Sequence, residues 1–303
     1  MKKIFVVILN WNNYVDTLEC IKSIDKLNAA NFRLNIVVVD NASSDKSADK
    51  LSGLKYKNIE MIKNKKNLGF AGGNNVGIRY SLKKNADWVL LLNNDTYVDP
   101  SFIGELYKYG EKESRVGVLS PKIYFAKGYE FHKKRYKKND LGRVIWSAGG
   151  SIDWDNVYGK NRGVDEVDQG QYDEVCELDF ASGACVFLRA SALKEVGLFD
   201  EKYFMYFEDV DLCMRMRKFG WRILYVPTSV VWHKVSRSSG IGSALHDYFI
   251  MRNRLYFGLK YASLKAKYNL IEESLRVLFN GREWQKKGVL DFYLRRFGKG
   301  RWK

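Results

Sequence analysis

An open, mostly parallel α/β sheet flanked by helices is the fold class this sequence predicts, and three apolar runs predict it. Residues 4–9, 36–39 and 88–92 are short, continuous and rich in branched aliphatic side chains, the pattern of strands buried on both faces. A helix-like segment at 14–27 separates the first two, and a second at 77–84 precedes the third. The first hundred or so residues therefore read as βαβ units.

Each run ends in polar residues: Asn10, Trp11 and Asn12 after the first, Asp40, Asn41 and Ser43 after the second, and Asn93, Asn94 and Asp95 after the third. Ligands of such sheets bind beyond the carboxyl ends of the strands, so these residues are expected to face one crevice. An acid closing the second strand suits ribose hydroxyls and raises a dinucleotide-dependent dehydrogenase. The loop after Leu9 holds no glycine, however, and that fingerprint needs glycines there for close pyrophosphate approach. The glycines come later, in the run NLGFAGGNN at 67–75. They read either as backbone approaching a ligand or as an ordinary turn before the helix.

Residues 127–171 are rich in Lys, Tyr, Asp and Gly with weak periodicity, and read as long loops over the sheet. His132, inside a basic run, reads as a solvated bystander. A strand pattern returns at 177–188, broken by Ser182, Gly183 and Ala184, where small residues admit either a ligand or a neighbouring strand. Then Glu208, Asp209 and Asp211 follow the aromatic residues Tyr203, Phe204, Tyr206 and Phe207. Like charges crowded beside apolar walls favour a general acid or base, whereas acids opening a helix are also favoured by its dipole.

Past residue 241 the pattern is helical. Leu245, Tyr248, Phe249, Arg252, Tyr256 and Leu259 share one face, and Leu270, Ile271, Ser274, Leu275 and Leu278 another. A last stripe of Leu290, Tyr293, Leu294 and Phe297 is bordered by Arg295, Arg296 and Lys299, suited either to an anionic membrane surface or to docking on the protein's own body.

The 303 residues are 46% hydrophobic and 28% charged, which fits a folded chain with a large core. No run reaches the roughly 18 apolar residues of a membrane span, so the expected location is cytoplasmic, free or peripheral on the inner face of a membrane. The four cysteines have no paired spacing, and neither a zinc site nor a disulfide framework is expected. Net charge is +16, and residues 241–303 carry 14 Lys and Arg against 5 Asp and Glu. Such a surface suits anionic lipid or phosphorylated ligands. Nucleic acid is not an expected partner, because the basic residues fall in no nucleic-acid module.

Taken in order, Asp40, the 67–75 run, Asp95 and the acids at 208–211 resemble the inverting family 2 glycosyltransferases of the nucleotide-diphospho-sugar (GT-A) fold. The resemblance spans about residues 3–240 and rests on VVVDNASSD, NLGFAGGNN, LLNNDT, FASGACVFLR, GLFDEKYFMYFEDVDLCMR and VPTSVVWH in that order. The subgroup it looks most like contains rhamnosyltransferases that build bacterial surface polysaccharides. It implies a catalytic domain over 1–240, with a nucleotide-sugar half to about residue 100 and an acceptor half beyond it, and a basic helical extension over 241–303. The donor, dTDP-rhamnose ahead of a UDP-hexose, is then expected at Asp40 with Asn10, Asn12, Asn67, Gly69, Asn74, Asn94 and Gly183. Asp95 matches the last acid of the family's Asp-x-Asp metal motif, whose first acid is here Asn93, and His233 matches a histidine that completes the site in some members. These residues imply Mg²⁺ or Mn²⁺. Asp209 falls at the catalytic base, with Glu208 and Asp211 tuning or positioning it. The implied acceptor is a glycan or a lipid-diphosphate-linked glycan, and a homodimer is left open. The competing class is a non-catalytic nucleotide-sugar or carbohydrate binding protein of the same fold.

Overall fold

The structure, a computed structural model, describes residues 1–54, 56, 58–235 and 242–302. The expected boundary at 240/241 lies outside the described residues. In chain order the first half contains β1 (Lys2–Asn10), α1 (Tyr14–Ile24), β2 (Phe32–Asp40), α2 (Ser47–Ser52), β3 (Ile59–Lys63), α3 (Gly69–Lys83), β4 (Trp88–Asn93), β5 (Thr96–Val98), α4 (Phe102–Lys112) and β6 (Val116–Phe125). Then come β7 (Ile145–Ser147), β8 (Gly150–Asp153), β9 (Tyr158–Asn161), β10 (Cys176–Glu177), β11 (Cys185–Arg189), α5 (Ala190–Val196), α6 (Glu208–Lys218) and β12 (Arg222–His233). Three helices follow: α7 (Ala244–Tyr261), α8 (Leu264–Asn280) and α9 (Glu283–Tyr293).

The main sheet runs β10-β12-β6-β11-β4-β1-β2-β3, with β5 added on β12 and β7 on β6. Its β4-β1-β2-β3 half is parallel, as the apolar runs predict. The other half is mixed, because β11 lies antiparallel between β4 and β6. Strand alternation divides each apolar run between two cores. Val7, Val37, Val39, Val89 and Leu91 face α3, α6 and α7, whereas Ile4, Val6, Ile8, Ile36 and Leu90 face α1 and α4. Both faces are dry, so the strands read as continuous apolar runs rather than alternating ones.

The 67–75 run is not a turn before the helix but mostly the start of α3 itself. Its glycines serve close packing: a Cβ on Gly73 would lie 2.5 Å from Leu9, and one on Gly77 would lie 2.3 Å from Val7. Gly69 adopts φ +73° against Phe204, where a Cβ would meet the ring at 2.5 Å. The 127–171 segment forms β7 and the β8–β9 hairpin with connecting loops, tethered by Lys122 donating to Asp168 at 2.8 Å. His132 is exposed beside Asp165. No helix among the described residues is long and apolar enough to cross a membrane.

Candidate functional site

Register aligns the polar strand ends, with Asn10 opposite Asp40 and Leu9 opposite Asn93. Asn10 is fully buried. Its amide donates to Asp40 Oδ1 at 2.8 Å and to the Ser43 and Ser47 hydroxyls, and its carbonyl oxygen accepts from Thr17. It therefore stands behind the crevice and orients Asp40 instead of facing a ligand, contrary to the sequence expectation. Asp40 is itself 2% exposed. Among the described residues its Oδ2 accepts only the Ser43 amide, at 2.9 Å, so that oxygen keeps acceptor capacity.

Asn41, also buried, clamps the following loop. Its amide donates to Asn67 Oδ1 and the Gly69 carbonyl, and its oxygen accepts from Asn64 and the Leu68 amide. Asn12, in the left-handed region at φ 52°, is exposed and accepts from the Ser44 amide at 2.7 Å. Trp11 beside it is 54% exposed. Asn74 departs from expectation, since it is buried and its amide is bound to the Phe70 carbonyl one helical turn back. Asn94 is partly exposed and donates to Thr17 at 2.9 Å.

At the end of β4, Asp95 Oδ1 lies 3.1 Å from His233 Nε2, which β12 delivers by pairing His233 with Thr96 of β5. Burial opposes the charge on Asp95, but the His233 ring and then Lys234 offset it and hold the carboxyl below its ordinary range. Among the described residues Asp95 Oδ1 accepts no well-formed hydrogen bond, and the titratable group facing it is His233 Nε2. A carboxylate oxygen facing an imidazole nitrogen fits a divalent cation held between them, Mn²⁺ especially. No set of three or more such ligands occurs among the described residues, so a cation here would draw the rest of its shell from a diphosphate and water.

The 182–184 break joins this end of the sheet to the acids. The Asn93 backbone N–H donates to the Ala184 carbonyl at 2.9 Å, and the Gly183 backbone N–H donates to Asp209 Oδ2 at 2.8 Å. A Cβ on Gly183 would crowd Phe70 at 2.9 Å, so glycine permits this approach. Asp209 is partly exposed. Desolvation raises its pKa, and the Gly183 and Val210 amides temper the rise. Glu208 is 4% exposed, and among the described residues its Oε2 has no hydrogen-bond partner. Burial and then the charge of Asp209 push its carboxyl well above the usual range. Asp211 lies elsewhere. Fully buried, it accepts from Arg215 Nε at 2.7 Å, Lys260 Nζ at 2.7 Å and the Tyr261 hydroxyl at 2.8 Å. Burial opposes its charge, but Lys260 and Arg215 hold its pKa below the ordinary value.

The acids are aimed by a strained loop. Phe204, Tyr206 and Phe207 have φ of +64°, +67° and +71°, a conformation costing non-glycine residues about 1–3 kcal/mol each. Two α7 residues hold it: Arg252 donates to the Tyr203 carbonyl at 2.9 Å, and the Asn253 amide donates to the carbonyls of Tyr203, Met205 and Tyr206. Neither residue was a sequence-predicted site residue. The available signal was Arg252, a charge on an otherwise apolar helical face.

This mixed sheet, with polar strand ends gathered at its carboxyl edge, is that of the GT-A glycosyltransferase fold, and the chain belongs to the family described as glycosyltransferase like family 2, which it matches over residues 2–258. Within the family it is rhamnosyltransferase-like. It is 28% identical over 225 residues to the N-acetylglucosaminyl-diphospho-decaprenol L-rhamnosyltransferase of Mycobacterium tuberculosis, covering 70% of each chain. To the dTDP-rhamnosyl transferase RfbF of Shigella flexneri it is 25% identical over 303 residues, covering 95% of this chain and 93% of that one. In fold it matches GalNAc-T7, solved with UDP, GalNAc and Mn²⁺, at a TM-score of 0.63 and 16% identity, over 90% of this chain and 54% of that one.

Proposed function

We propose that the protein is a divalent-metal-dependent, inverting glycosyltransferase. It moves a sugar from a nucleotide-diphospho-sugar to a hydroxyl of a glycan or lipid-diphosphate-linked acceptor in surface-polysaccharide synthesis. dTDP-rhamnose is the first donor and a UDP-hexose the second. The observation that carries this reading is Asp209, a partly exposed, desolvated carboxylate anchored by Gly183 at the edge that also bears Asp95.

Asp209 takes the proton of the acceptor hydroxyl while that oxygen bonds to the anomeric carbon. The bond from that carbon to the phosphate oxygen breaks on the opposite face, and the nucleoside diphosphate leaves. A single displacement of this kind inverts the anomeric centre, and a positioned base contributes roughly 10²–10⁴ in rate. Burial disfavours charge on Glu208 most, so Asp209 is the partner that ionises first, and Asp211 fixes the start of α6. Asp95 and His233 would hold Mn²⁺ or Mg²⁺, which when bound neutralises charge growing on the diphosphate. Asp40 Oδ2 suits the imide N–H of thymine or uracil, the exposed Trp11 ring offers a stacking face, and Asn12, Asn67 and Asn94 supply polar contacts. Asn10, Gly69, Asn74 and Gly183 act by holding these groups and Asp209 in place. The names of the two rhamnosyltransferase relatives support the choice of donor and of a lipid-diphosphate acceptor.

Calorimetric titration of the full chain with dTDP-rhamnose and with UDP-sugars, each with Mn²⁺, Mg²⁺ or a chelator, tests this. Metal-dependent binding of one donor, made metal-independent by Asp95→Ala, is expected. Binding of no donor overturns the donor site, and binding indifferent to metal removes Asp95 and His233 from their role. Binding without turnover on any acceptor would favour a non-catalytic protein.

A further inference from the structure

Half of the large hydrophobic side chains left exposed among the described residues fall between residues 264 and 294. On α8 they are Leu264, Tyr268, Ile271, Leu275 and Phe279, with exposures of 85, 70, 41, 48 and 78%. Spacings of four and three residues keep all five on one side of the helix. The other side buries Ala266, Leu270 and Ser274, and Ser274 meets the Tyr293 hydroxyl of α9 at 2.7 Å. The apolar pattern read from the sequence is thus two stripes, one docked and one bare. Leu290 and Leu294 add exposed apolar surface on and just past α9.

Unpaired charge around the bare stripe has one sign. The acids of residues 264–302 are all paired: Glu272 with Arg276, Glu273 with Arg254, Glu283 with Lys287 and Asp291 with Arg301. Lys265, Lys267, Lys286, Arg295 and Lys299 have no acid partner among the described residues. At about 100° per residue, Lys265 and Lys267 fall about 80° to either side of the stripe's midline. The stripe is therefore bordered by free cations on both flanks. A second copy of this chain would bring another net +16 against it, whereas an anionic bilayer offers both an apolar depth and negative headgroups.

We propose that α8 lies in the plane of an anionic membrane surface, with its bare stripe at the headgroup–acyl boundary and its flanking lysines among the phosphates. The inference stands on this surface and not on the reaction. Flotation of the full chain with acceptor-free vesicles of phosphatidylglycerol and phosphatidylcholine in equal parts, and with phosphatidylcholine alone, tests it. The wild type is expected to float with the anionic vesicles. The Leu275→Glu/Phe279→Glu variant, altered only at exposed positions, should bind them roughly tenfold or more weakly, with unchanged circular dichroism. Lys265→Glu/Lys267→Glu should lose the preference for anionic over neutral vesicles. A wild type that stays in the soluble fraction overturns the proposal, as does a Leu275→Glu/Phe279→Glu variant that floats as well as wild type. A wild-type dimer that the same variant converts to monomer also overturns it, assigning the stripe to a second copy. Donor titration of the same samples reports the crevice separately.

Discussion

Asp209 and Asp211 stand two residues apart in the first turn of α6, and the two sides of that turn are built in opposite ways. On the crevice side, Asp209 receives backbone amides and, among the described residues, no cation, and desolvation lifts its pKa. On the core side, Asp211 receives a guanidinium, an ammonium and a tyrosine hydroxyl, and its pKa falls despite full burial. One helix N-terminus thus presents an amide-held carboxyl outward and an ion-paired anchor inward. Burial alone does not set the ionisation of an acid; the partners that come with burial do.

The comparison breaks first at Asp209. Asp209→Asn is expected to lower kcat by about 10²–10⁴ while donor affinity and Tm stay near wild type; near-full turnover would remove the contrast. As a base Asp209 acts ionised, so kcat/KM should rise with pH through a value above the ordinary aspartate 3.8, and a pH–rate profile flat down to pH 4 would exclude it.

Asp211→Asn should act on stability instead, costing about 3 kcal/mol by leaving Arg215 and Lys260 without their carboxylate. A folded pKa below the unfolded value means that this stabilisation is present above pH 3.8 and lost as pH falls through the folded value. Urea titrations of wild type and variant should therefore converge in acid; a gap that persists there would sink the ion-pair account.

A smaller effect is expected at Asn253→Ala, which removes the donor shared by three loop carbonyls. A loss of about 2 kcal/mol, with kcat falling more than donor affinity, would show that α7 aims the acids. Unchanged kcat would confine Asn253 to packing.

The smallest change is a gain. The folded pKa of Glu208 lies above its unfolded value of 4.5, so its burial costs stability increasingly as pH rises above 4.5 toward the folded value. Glu208→Gln should raise Tm by roughly 2–4 °C at pH 8, with the gain gone at pH 4; a lower Tm at pH 8 would show that the carboxylate is favourably held.

Much of the parallel half was legible, because a strand dry on both faces leaves a continuous apolar run, and β1, β2 and β4 each end in polar residues at one edge of the sheet. The reversed β11 was not, since an apolar run carries no direction. The glycines of α3 looked like a turn because composition cannot separate a glycine that bends the chain from one that lets Leu9 and Val7 come close.

The sequence alone determined the α/β class, the edge of the sheet where the polar strand ends gather and the short list of acids, since each is a pattern within a few neighbouring residues. Only the tertiary structure decided what each acid is. Asp40 is oriented by Asn10 from 30 residues away, Asp209 is anchored by Gly183 from 26, and Asp211 is neutralised by Lys260 from 49. The pKa and the aim of a carboxylate follow from its partners in space, and those contacts exist only once the chain has closed on itself.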